Sequence, residues 1–258
     1  HTPLPPVLPE VTEGMEILDA REAPQDPYSI RCAQQILGAV ADVLTFHERA
    51  VTEELNAVTD NPILFPDEDR LLHGGNFQGQ HVAFAADALA SAAVKLGEYA
   101  ERRIARLTDA TLNRGLGPFL TGGRPGLDSG FMGAQVTASA LVAEMRTRAV
   151  PAAFQSIPTN GNNQDTVSMG TIAARNCRLQ LEDLFRILAI EALALAQACD
   201  LRKRDLQGSF APATERWAAR IRAHSPFLEQ DRPLSEEIER LAWRLQWDTD
   251  YVAATGIP

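Results

Sequence analysis

The run ILAIEALALAQAC, residues 187–199, limits the fold more than any other stretch of the chain. Its apolar residues fall on every side of a helix, and a helix that is apolar all round must be covered all round. Glu191 interrupts the run, which stops short of the roughly 20 residues that span a bilayer. It therefore reads as the centre of a core helix over residues 166–200, roughly 50 Å long at about 1.5 Å per residue. A chain of 258 residues is expected to need neighbouring subunits to cover such a helix.

The rest of the chain repeats the helical pattern. Between residues 27 and 58 apolar residues recur at three- and four-residue steps (Ile30, Ile36, Leu37, Val40, Val43, Leu44), and TDNP, with Asn61 and Pro62, stops the helix. Residues 80–112 are dense in Ala, Leu and Glu, and small side chains there admit close neighbours. Helices are also expected over 131–147, 212–223 and 235–246, with Gly, Pro and Asn clusters between them. No strand alternation of consequence is visible. The expectation is an all-α, long-helix bundle in a single domain, with residues 1–24 an extended lead-in.

Charge and cysteine usage remove several functions. Lys and Arg number 24 against 34 Asp and Glu, a net charge of -10 that argues against a nucleic-acid partner. No segment reads as a membrane span. Cys32, Cys177 and Cys199 are an odd number in neither metal nor redox spacing, which reads as reduced thiols in a cytoplasmic protein. The first residues lack a basic region and a sustained apolar stretch, so no export signal is visible, and no initiator methionine is present. His73 and His81 stand eight apart without a carboxylate or cysteine at a ligand offset, so no metal site is expected. The glycine runs follow no strand, which argues against a phosphate loop, and no hydrolase triad can be read.

Three polar clusters remain, each at a loop-to-helix junction. In QDPYSIRC, Asp26 is suited to cap a helix and Pro27 to open it, which places Tyr28 and Arg31 on one face of the first turn near Gln25. Arg31 is then a cation at the positive end of a helix dipole, which invites an anion. In HGGNFQGQH two glycines would bring backbone close to something and Phe77 offers a flat apolar wall. In TNGNNQD, Asn160 and Gln164 stand four residues apart among a density of amides. Each cluster also has a bland reading: a surface ion pair, a tight turn with Phe77 in the core, and an ordinary Asn-Gly turn. Together they would suit an aromatic amino acid: Arg31 for its carboxylate, Phe77 for its ring, the amides for its polar end.

The blocks QDPYSIRC, ELNAVTDNP, HGGNFQGQHVAFAADAL, ERRIARLTD, GLDSGFMGAQVTASALVAEM and TNGNNQDTVSMGTIAAR, in this order, resemble the C-terminal half of the aromatic amino acid lyases. That family includes histidine, phenylalanine and tyrosine ammonia-lyases and related aminomutases, and the bacterial tyrosine enzymes are the nearest in resemblance. The likeness covers about residues 25–234. It implies an all-helical homotetramer with a shared central bundle, active sites assembled from more than one subunit, and removal of ammonia from an L-amino acid to leave an arylacrylate. It also implies an electrophile, the methylidene-imidazolone (MIO) formed from an internal Ala-Ser-Gly. On this resemblance Arg31 binds the substrate carboxylate, Tyr28 lies beside the MIO and the departing amine, Gln25 joins their network, and Phe77 lines the aryl pocket. Asn160 stands where plant phenylalanine enzymes carry Glu and bacterial tyrosine enzymes Asn. Gln164 stands where histidine enzymes carry Glu, so two amides leave the pocket neutral and favour tyrosine or phenylalanine over histidine.

One departure matters. The chain contains no Ala-Ser-Gly; ALASAA and LDSG come nearest. In the family the N-terminal half carries the MIO, the lid tyrosine and the main ring-selectivity residue, so the chain is expected to be inactive by itself. Three readings stay open: a piece of a longer lyase, one subunit of a split lyase whose partner supplies the MIO, or a non-catalytic helical scaffold.

Overall fold

A computed structural model describes residues 25–253, so the lead-in expected over residues 1–24 lies outside the described residues. The helices among them are α1 (Tyr28–Arg31), α2 (Ala33–Leu55), α3 (Gln80–Thr108), α4 (Met132–Thr147), α5 (Gly170–Leu206), α6 (Pro212–Arg222), α7 (Ser235–Trp247) and α8 (Thr249–Ala253). The all-α expectation holds, with one addition. Strands β1 (Ile63–Phe65) and β2 (Arg70–Leu72) form a small antiparallel hairpin in what reads from sequence as plain loop, with Ile63 opposite Leu72. Three residues per strand are too few to show an alternation.

Small residues set the main packing. Ala83, Ala86, Ala90, Ala93 and Ala100 are buried along α3, which lets α5 lie close beside it. The two helices run parallel and in register: Ala83 meets Gly170, Gly97 meets Ile187 and Arg103 meets Glu191. A Cβ on Gly97 would stand 3.1 Å from Met145 Sδ and 3.3 Å from Ile187 Cδ1, so this crossing has no space for a larger residue. The core around it includes Ile104, Met145, Ile187, Ile190, Leu193 and Leu241.

The expected need for neighbouring subunits along residues 187–199 is corrected here. All of that segment except Leu188 and Leu195 is buried within one chain, packed by α3, α6, α7 and the turn Pro118–Leu120. Its alanines give the reason, since short side chains let a few elements close around the helix. Uncovered apolar surface is found on α2, as on other elements. Only Val40 and Ala50 are buried there, while Leu37, Leu44 and Leu55 are exposed.

Three buried polar groups along α5 are well paired, which offsets the cost of taking them out of water. Gln197, fully buried, donates to Leu120 O (3.2 Å) and Leu228 O (2.9 Å) and accepts from Leu228 N (3.0 Å) and Arg222 (2.9 Å). Glu191 takes both arms of Arg103, and Asp183 takes Arg148 and Arg186.

Helix ends differ from the sequence reading for local reasons. Pro27 rather than Asp26 occupies the N-cap of α1, with no side-chain cap, and the helix breaks at Cys32 before α2 begins. The latter stops at Leu55, short of residue 58. Left-handed backbone at Met169 (φ 55) and Gln207 (φ 51) delimits α5, which runs past the apolar segment through Arg202, Lys203 and Arg204. Those are good helix formers, and cations suit a helix C-terminus.

Asp231 ties the loop before α7 to the loop before α4 by accepting from Ser129 N (2.7 Å) and Gly130 N (2.8 Å). These two amides hold its carboxyl below its ordinary value. A carboxylate with a lowered folded pKa adds stability that is present above its unfolded pKa, about 3.9, and lost as pH falls through the folded value. Asp231→Ala is therefore expected to lower the thermal midpoint at neutral pH. Its deficit should shrink as the pH drops below about 4, measured by melting both proteins across pH.

Candidate functional site

The six sequence-predicted residues are all exposed, and they fall into two groups. Tyr28 and Arg31 share a face, as the i, i+3 spacing requires, with the Arg31 guanidinium 4.6 Å from the Tyr28 ring centroid. Among the described residues Arg31 has no ion pair, so the surface-pair reading fails for it. Gln25 lies just before this turn and is exposed. The group stands beside the C-terminal end of α3: Asp26 lies 3.9 Å from Arg114, and Ile30 lines a cavity with Leu107 and Leu112.

The other group is at the opposite end of α3. Phe77 sits in a one-turn helix (Asn76–Gln78) that precedes α3, and it is 54% exposed rather than in the core. Gly79 joins the two with φ +67, a left-handed position that favours glycine. The expected close approach at the paired glycines is not found among the described residues, where nothing stands within 4 Å of a Cβ on Gly74 or Gly75.

Asn160 and Gln164 belong to a closed loop. Thr159 N donates to Gln164 O (3.0 Å) and Gln164 N to Thr159 O (3.3 Å). Within it Asn160, Gly161 and Asn162 adopt φ of 51, 62 and 67, a conformation that Asn and Gly accept most readily. The Thr159 hydroxyl donates to Gln164 Oε1 at 2.8 Å, which leaves the Gln164 NH2 as the free donor. Sequence reasoning missed Thr159. Its signal is a hydroxyl residue at the mouth of an Asn-Gly-Asn turn, five positions before the amide it fixes.

Because α3 and α5 start side by side, the Phe77 turn and the amide loop share one end of the molecule. Ser168 Oγ lies 3.8 Å from where a Gly79 Cβ would be. Tyr28 and Arg31 are at the other end of α3, whose 29 residues span about 43 Å. One chain therefore holds the six residues in two separate groups and does not bring them together.

The thiols take no part in either group. All three cysteines are free, and burial with Asp87 nearby pushes the Cys177 thiol up to about 11. No cluster of three or more metal-ligating side chains occurs among the described residues, and no helix among them is long and apolar enough to cross a membrane.

Comparison with known proteins bears on what such groups belong to. The sequence model of a family described as aromatic amino acid lyase matches residues 7–223. A tyrosine ammonia-lyase of Cereibacter sphaeroides is 57% identical over 225 residues, covering 87% of this chain and 43% of that protein. A histidine ammonia-lyase of Aromatoleum aromaticum is 48% identical over 83% of this chain and 40% of its own length. Among solved structures, a tyrosine aminomutase from Streptomyces globisporus superposes with a TM-score of 0.85 at 41% identity, over 96% of this chain and 46% of that one. The chain thus spans less than half the length of these relatives. Its helical fold, its ordered motif blocks and these matches together establish that the chain belongs to the aromatic amino acid lyase family.

Proposed function

We propose that the chain is the C-terminal half of an aromatic amino acid ammonia-lyase, a carbon–nitrogen lyase that converts L-tyrosine, or L-phenylalanine, to the arylacrylate. The observation that carries this reading is the pair of exposed half-sites. Arg31 has no acidic partner among the described residues and is free for a substrate carboxylate. At the far end Phe77 and the two neutral amides can receive an aryl ring and a phenol hydroxyl. The similarity to a tyrosine ammonia-lyase supports this substrate class.

The residues present fit an MIO supplied by a companion half. Tyr28, 68% exposed, and Arg31 face outward together, as groups meeting a substrate on another polypeptide must. When bound in place, that group supplies the electrophile, which no Ala-Ser-Gly in this chain can form. The chain's own contribution is positional. Arg31 fixes the carboxylate by a charge-assisted, two-pronged contact, and the Tyr28 hydroxyl stands next to it for the amine. Gln25 extends that polar edge, Phe77 lines the ring, and Thr159 aims the Gln164 NH2. With neither amide ionised, an imidazole ring gains no charged partner there, which favours tyrosine over histidine.

Half-sites about 43 Å apart serve catalysis only if chains associate so that one end of α3 meets the other end of a neighbouring α3. The exposed Leu37, Leu44 and Leu55 of α2 offer a surface for that association in a homo-oligomer, and we assign the tetramer of the family to it. Leu44→Arg is expected to shift the assembled enzyme to smaller species in sedimentation, with loss of activity. An unchanged mass would remove α2 from the interface.

The function is tested by assembling the chain with an MIO-bearing half and following ultraviolet absorbance of the conjugated product. A flat trace with every aromatic amino acid would end the proposal. A second reading, an aminomutase, is favoured by the tyrosine aminomutase fold match. Detection of a β-amino acid among the products would select it.

A further inference from the structure

Behind α1, between the last turns of α3 and the second half of α5, lies a cavity of about 500 Å3, within the size range of small-molecule sites. Leu107, Leu195 and Phe210 give it an apolar lining, and Arg103, Arg106, Arg114 and Arg202 stand around it. Their charges are unevenly balanced. Glu191 takes Arg103, with a contact of 2.7 Å. Arg114 meets the one lining carboxylate, Asp26, only at 3.9 Å. Arg202 reaches only the Asn113 and Arg114 carbonyl oxygens, each at 3.4 Å. Arg106 has no hydrogen bond or ion pair among the described residues.

Two guanidinium groups without carboxylates, beside an apolar cavity in a chain of net charge -10, form a local reversal of the molecule's charge. A guanidinium matches a carboxylate in geometry as well as in charge. The apolar lining adds a requirement that an inorganic anion does not meet, namely a body that gains by leaving water. We propose that this cavity binds a small carboxylate with an aromatic or similarly apolar body, its carboxylate held by Arg106 and Arg202 and its body against Leu107, Leu195 and Phe210. The proposal rests on these residues and not on the lyase reading.

The test is calorimetric titration of the full chain with trans-cinnamate and with its neutral amide. The acid should bind at least about 10-fold more tightly than the amide, and Arg106→Gln should erase most of that difference. Arg124→Gln, at a residue outside this cavity, should leave binding unchanged. Cinnamate should also slow the reaction of Cys199, which lines the cavity, with a thiol reagent; this readout needs no substitution. Equal binding of acid and amide would overturn the proposal. So would full competition by sulfate, absence of both heat and Cys199 protection, or loss of binding in Arg124→Gln but not in Arg106→Gln.

Discussion

Replacing Arg31 with alanine in the assembled enzyme is expected to lower kcat/KM for tyrosine by about 10- to 150-fold, the equivalent of roughly 1.5 to 3 kcal/mol for a charged hydrogen bond. KM should rise. The thermal midpoint should not move, because Arg31 is exposed and, among the described residues, its side chain is recorded only against the face of Tyr28. That separation of activity from stability is what a binding residue requires. Arg31→Lys should recover only part of the loss, since an ammonium keeps the charge but not the two-pronged geometry. A specificity constant equal to that of the parent protein would remove Arg31 from the carboxylate site.

The largest effect on stability is expected from Gln197→Leu. The substitution keeps the volume approximately but strands Leu120 O, both backbone groups of Leu228 and one arm of Arg222. Each unsatisfied buried group costs about 1–3 kcal/mol, and with partial relaxation the sum should reach roughly 3–5 kcal/mol. Denaturant unfolding reads this directly. The side chain also joins three elements, because α5 reaches through it to the Pro118–Leu120 turn, to Leu228 and to Arg222 of α6. A loss below about 1 kcal/mol would mean that water replaces these bonds and that the junction is not dry.

Much of this was legible in the sequence, and the parts that were not share a cause. Helix positions followed from periodicity, and the Tyr28–Arg31 face from a three-residue spacing. The cover over residues 187–199 was misjudged because composition gives the number of apolar residues and not how tightly alanines let helices close. Periodicity also ended α5 too early, since its last residues are charged and carry no pattern, yet they are good helix formers. The division of the site lay beyond local sequence altogether. Gln25, Tyr28 and Arg31 precede Phe77 in the chain, but α2 packs along α3 and carries the chain from one end of it to the other. The parallel register of α3 and α5 then brings Phe77 to the amide loop and keeps it away from Arg31.

This division can be tested with two impaired proteins. Arg31→Ala and Gln164→Arg, each in a complete enzyme, disable opposite ends of α3. Unfolding and reassembling the two as a mixture places an intact Arg31 from one chain opposite an intact Phe77 and Gln164 from another. Recovery of activity well above that of either protein alone is the predicted result. A mixture no more active than its components, with mixed oligomers shown to form, would contradict a site shared between chains.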